Sequence, residues 1–68
     1  MFNIGDSVRH TLPDPAFGCI GIIQECFYQG SFSGEEFGYA LVQIVQGNES
    51  YAIDSVTSWF LGSMELVS

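Results

Sequence analysis

The sequence predicts an all-β chain folded as one small five-stranded barrel with a short 3-10 turn before the last strand. Three observations carry that reading. Eight glycines and two prolines are spread so that no segment sustains a helical repeat. The apolar runs between them are rich in Ile, Val, Phe and Tyr, which suit a pleated, half-buried surface. Each run is bounded by turn-forming residues, as successive strands require. With 68 residues the chain is a single domain spanning 1–68. A core of that size gives a net stability of roughly 3–5 kcal/mol, so further support from a staple or a partner is expected.

The elements follow in order. Residues 7–12 alternate, with Val8, His10 and Leu12 on one side, and form strand one. Pro13 and Pro15 stop it, because each removes a donor and restrains the residue before it. Residues 18–28 form the longest strand, with Ile20, Ile22 and Cys26 on one side and Cys19, Ile23 and Phe27 on the other. Gly18 and Gly21 allow the bend or bulge that a small barrel needs. Residues 29–36 read as a flexible loop centred on Phe32, which is either a contact residue or tucked back under the loop.

Strand three covers 37–46, with Ala40, Val42 and Ile44 on one face and Phe37, Tyr39, Leu41 and Val45 on the other. Gly47-Asn48 matches a two-residue hairpin turn into a fourth strand at 50–53. Residues 54–60 are assigned to the 3-10 turn, Gly62 ends it, and 63–67 form the last strand.

Charge narrows the function. One Arg and no Lys stand against eight carboxylates, a net charge of −7. Binding a phosphate backbone releases counterions only in exchange for protein cations, so nucleic acid is excluded as a partner. The first six residues lack the basic and apolar stretches of a signal peptide and no run is long enough to span a bilayer, which points to a cytoplasmic protein without a membrane partner.

Chemistry-bearing groups are few. Cys19 and Cys26 lie seven apart, which on a regular strand puts them on opposite faces as free, apolar thiols. A Cys-His nucleophile would have to join His10 to one of them, and a zinc site would lack the usual short ligand spacing. Glu35, Glu36 and Asp14 read as solvated, and Gly30, Gly34 and Gly38 as turn glycines rather than a phosphate loop. Asn48-Glu49-Ser50 matches a glycosylation acceptor, which has no meaning without secretion. No catalytic residue, metal or cofactor is assigned.

Aromatic density is the stronger signal. Tyr28, Phe32, Phe37, Tyr39, Tyr51, Trp59 and Phe60 are more than the inside of such a barrel holds. The interface candidates are Tyr39, Leu41, Phe32, Trp59, Tyr51 and Phe60, with self-association through the outer face of strand three ahead of a peptide groove. The resulting expectation is a non-enzymatic module that forms a homo-oligomer and offers an acidic surface to a basic protein partner. One alternative is a small-ligand or nucleotide-cofactor binder or reductase with its site between subunits. The other is an acidic nucleic-acid mimic in a basic protein site, which the dispersed carboxylates do not favour.

The strand order resembles an SH3-like barrel. Gly5-Asp6-Ser7-Val8-Arg9 resembles the Gly-Asp-x-Val-Arg opening of many such barrels, the plasmid-type (type II) dihydrofolate reductases among them. Gly18-Cys19-Ile20 and Gly38-Tyr39-Ala40-Leu41 are similar to that family's second and third strands. The resemblance implies a barrel that oligomerises, and an origin on mobile gene cassettes. The family's Val-Gln-Ile-Tyr segment is replaced at the matching place by Tyr51-Ala52-Ile53-Asp54, and Val42-Gln43-Ile44 imitates it one strand early. The family's lysine falls at His10 or Thr11, so no active site is carried over.

Overall fold

The computed structural model describes residues 2–32 and 35–67. It contains β1 (Ser7–His10), β2 (Ile20–Phe32), β3 (Glu35–Gln46), β4 (Val56–Phe60), a 3-10 turn η1 (Leu61–Ser63) and β5 (Met64–Leu66). All five strands lie in one antiparallel sheet, in the order β4-β3-β2-β1-β5. The expected all-β class, the strand count and the 3-10 turn before the last strand are all present.

Several boundaries differ from expectation. Residues 29–36 do not form a loop, because β2 runs to Phe32 and β3 starts at Glu35. Backbone pairing therefore continues through most of the stretch that its Gly and Ser content marked as flexible. Residues 50–53 are not a strand. Asn48 closes a loop there by accepting from the N–H groups of Ser50 and Tyr51 at 2.8 and 3.0 Å. Its Nδ2 donates to the Pro15 carbonyl at 2.6 Å, which ties this loop to the one after β1. The fourth strand is Val56–Phe60, inside the segment assigned to the turn, and the turn itself falls three residues later than a Phe60 ending allows. Strand one ends at His10, and Leu12 is exposed in the loop beyond it.

Two of the three register shifts along the β2–β3 ladder, which also breaks between Ile20 and Gly21, bear on which side chains face inward. The β2–β3 register shifts between Ile23 and Glu25, so Gln24 has no opposite residue. Such a bulge resets the alternation. Gly21 and Ile23 point inward before it, while Cys26, opposite the buried Ala40, points inward after it. Cys19 and Cys26 consequently share the inner face despite their odd spacing, and Ile20, Ile22 and Phe27 share the outer one. The second irregularity, between Tyr28 and Gly30, turns the end of the β2–β3 hairpin.

The core consists of Val8, Ala16, Cys19, Ile23, Ala40, Val42, Ile44, Trp59, Leu61 and Met64, with Phe2, Cys26 and Tyr51 packed against it. Tyr28 Oη donates to the Phe2 carbonyl at 2.8 Å and accepts from its N–H at 3.1 Å, holding the N-terminal segment against the open side of β2. The sheet is strongly curled. β1 and β4 are separated by β2 and β3, which in a flat sheet would put them about 14 Å apart. The His10 and Trp59 rings nevertheless meet edge to face with centroids 4.9 Å apart. The 3-10 turn lies over the same end, where the Ser63 carbonyl accepts from Thr11 N–H at 2.8 Å.

Gly38 is required by this packing. Its φ is 150°, and a Cβ there would lie 2.0 Å from the Phe27 carbonyl oxygen. Gly38→Ala is expected to lose about 3 kcal/mol or more, enough to leave the chain largely unfolded in a urea titration at 25 °C. Gly62→Ala, where a Cβ meets nothing within 4 Å, should stay within about 0.5 kcal/mol of the parent. Asn48→Ala is expected to lower stability by about 1–2 kcal/mol in the same assay, through the loss of the loop's side-chain bonds.

Candidate functional site

The outer face of β2, β3 and β4 gathers several exposed apolar side chains in rows fixed by strand register, while Ile4, Leu12, Phe17, Ile53 and Leu66 are exposed outside these strands. Phe27, Tyr39 and Phe60 face one another across the three strands. The next row is Glu25, Leu41 and Ser58, and the one after it Ile22, Gln43 and Val56. Phe27 and Tyr39 stack with centroids 4.9 Å apart and an interplanar angle of 25°. Phe60 is 75% exposed and Val56 58%, while Tyr39 and Leu41 are half-buried beneath them. Phe37 extends the face towards the hairpin end.

Of the six interface candidates, the structure brings Tyr39, Leu41 and Phe60 together on this face. Trp59 is not available there. It is opposite Ala40 in register, points inward and is 4% exposed, because side chains alternate along β4. Tyr51 belongs to the 47–55 loop and packs against the core. The Phe32 side chain lies outside the described residues. Phe27 and Val56, absent from the candidates, complete the surface. The β2 bulge puts Phe27 there, and no regular alternation read from the sequence could show it.

A second group of polar residues lies inside the curl. His10 Nδ1 is 3.5 Å from Asp14 Oδ1, and neither this nitrogen nor Trp59 Nε1 has a hydrogen-bond partner. His10 N–H donates to the Cys19 carbonyl, so His10 and Cys19 are neighbours through the backbone. Burial pushes the Cys19 thiol up from its ordinary value of 9.0, and the charge of Asp14 raises it further. Nucleophilic cysteines are shifted in the opposite direction. Among the described residues no group of three His, Cys, Asp or Glu is placed to hold a metal ion. No described helix is long and apolar enough to cross a membrane.

Exposed carboxylates at Asp14, Glu25, Glu49, Asp54 and Glu65 are spread over the surface. The one Arg, Arg9, sits 3.6 Å from Glu65 on the β1–β5 pair, where exposure makes their attraction weak. Compared with protein-family models, with curated proteins and with solved structures, the chain matches none.

The raised Cys19 value has a measurable consequence. The folded state holds the thiol proton more tightly than the unfolded chain, so this contribution to stability is complete below pH 9.0 and is lost as pH rises through the higher folded value. The urea midpoint should therefore fall above about pH 9, and Cys19→Ala should lack that part of the fall. Peptide mapping after iodoacetamide treatment of the folded protein should find Cys26, which is half-buried, modified before Cys19, which is buried.

Proposed function

We propose that the chain is a non-enzymatic interaction module that self-associates through the outer face of β2, β3 and β4. Its acidic remainder is then presented to a basic protein partner. The observation that carries the reading is the row Phe27, Tyr39 and Phe60, continuous with Leu41 and Val56. Contiguous apolar patches beyond a few hundred Å² mark interaction surfaces on soluble proteins. Stability supports the same reading, since the buried cluster of the described residues is small and association adds to the stability of a small core by mass action.

The curl of the sheet, its strand order and the 3-10 turn before β5 support the SH3-like barrel as the fold's description. A distant kinship with the plasmid-type reductases belongs to this proposal at the level of fold alone. In the segment that imitates their Val-Gln-Ile-Tyr run, Val42 and Ile44 are fully buried, which leaves only Gln43 able to present its side chain outward.

Sedimentation equilibrium over a concentration series tests the reading. The parent chain is expected to run as a dimer or larger species. Leu41→Glu and Phe27→Glu, checked for retained circular dichroism, should weaken association at least tenfold by adding a carboxylate to a face that already carries Glu25. A parent chain that stays at monomer mass into the high micromolar range would falsify the proposal.

A further inference from the structure

The sheet ends on β4 and β5, and the two edges are built differently. β5 is three residues long and carries Glu65, the brevity and charge that keep an edge from pairing. β4 is five residues, Val-Thr-Ser-Trp-Phe, with neither a charge nor a proline. Among the described residues no strand pairs with it on the side away from β3.

The ladder shows which of its backbone groups point that way. Ile44 N–H donates to the Ser55 carbonyl and the Ile44 carbonyl accepts from Asp54 N–H, both at 2.8 Å. Hydrogen-bonded pairs alternate along an antiparallel ladder, so from this point they fall at Val42 with Thr57 and at Ala40 with Trp59. Val56, Ser58 and Phe60 turn their N–H and C=O groups outward. Phe60 C=O accepts from Ser63 Oγ at 2.7 Å, and a carbonyl oxygen has a second lone pair for a further donor.

We propose that β4 pairs antiparallel with β4 of a second copy of this chain, about a two-fold axis at Ser58. The inference rests on the self-association reading and adds to its face contact a second contact along the sheet edge. Under that symmetry Ser58 faces the partner's Ser58 and Val56 faces the partner's Phe60, each pair closing two hydrogen bonds. The Val56 and Phe60 side chains, among the most exposed apolar groups described, become a β-branched and aromatic cross-strand pair.

Self-complementarity points to a second copy as the occupant, and charge does not oppose it at this edge. Each chain carries −7, so two copies repel wherever carboxylates face each other. β4 contributes none. The apolar row from Phe27 through Tyr39 to Phe60 runs up to this edge, and pairing continues it onto the neighbouring chain.

Amide hydrogen exchange and sedimentation equilibrium on the full chain test the proposal. Thr57 and Trp59 amides should be protected at every concentration, whereas those of Val56, Ser58 and Phe60 should gain protection only as the dimer forms. Ser58→Pro removes an outward donor and leaves the β3 ladder intact, and should raise the dimer dissociation constant at least about 100-fold. Ser58→Glu sets two carboxylates face to face at the axis. It carries the same test if the proline variant loses its circular dichroism. A dimer that survives Ser58→Glu, or that exchanges Val56 and Ser58 amides rapidly, overturns the edge pairing while Leu41→Glu still reports on the outer face. A parent chain that is monomeric throughout, including one whose edge pairs only with an unrelated extended peptide, overturns both.

Discussion

The packing of Trp59 on His10 is the contact on which the fold depends. It joins strands that a flat sheet would keep well apart, and so fixes how tightly the sheet curls. That curl leaves a narrow interior. Val8, Ile23, Val42 and Ile44 fill it, Ala40 lies beneath Trp59 in register, and the loop residue Ala16 adds another small side chain. The packing also has an unfavourable side, because two ring nitrogens are buried without hydrogen bonds. An unmade buried hydrogen bond costs about 1–3 kcal/mol, a large fraction of what so small a domain has. The aromatic packing and the burial of Trp59 have to offset it.

The same narrowness decides where the other rings go. Among the described core residues Trp59 is the one fully buried aromatic, while Phe2 and Tyr51 pack only partly against the cluster. Phe27, Tyr39 and Phe60 have no room inside and stack or lie open on the convex side. The apolar outer face is thus a consequence of how the interior closes, and the proposed association uses a surface that the fold produces in any case. A chain this acidic can bring such faces together only where the carboxylates are sparse, and on β4 and its row with Tyr39 and Phe27 there are none.

Much of the fold was legible from local chemistry. Val8 and His10 alternate as a strand predicts, Pro13 and Pro15 mark the break after it, and the two faces of β3 follow from Ala40, Val42 and Ile44 against Tyr39 and Leu41. What local patterns could not show were events set by tertiary partners. The bulge after Ile23 exchanges the two faces of β2 and brings Cys26 to the side of Cys19. Gly47-Asn48 carries a hairpin signal, but the Asn48 side chain uses its hydrogen-bonding capacity on the backbone of its own loop and on Pro15, so the chain does not turn back until Val56. A strand at 50–53 leaves the β-rich run Val-Thr-Ser-Trp-Phe no place in the pattern except a turn. That same displacement left Trp59 and Phe60 without a phase.

Phase along β4 couples the interior to the surface. Because successive side chains of a strand point to opposite faces, the burial of Trp59 requires Ser58 and Phe60 to face outward, whatever their own preferences. A slip of one residue would bury Phe60, expose Trp59 and break the ring contact with His10. It would also shift which backbone groups are turned to the free edge. The contact that closes the core therefore selects both the side chains and the hydrogen-bonding groups that β4 presents to its surroundings.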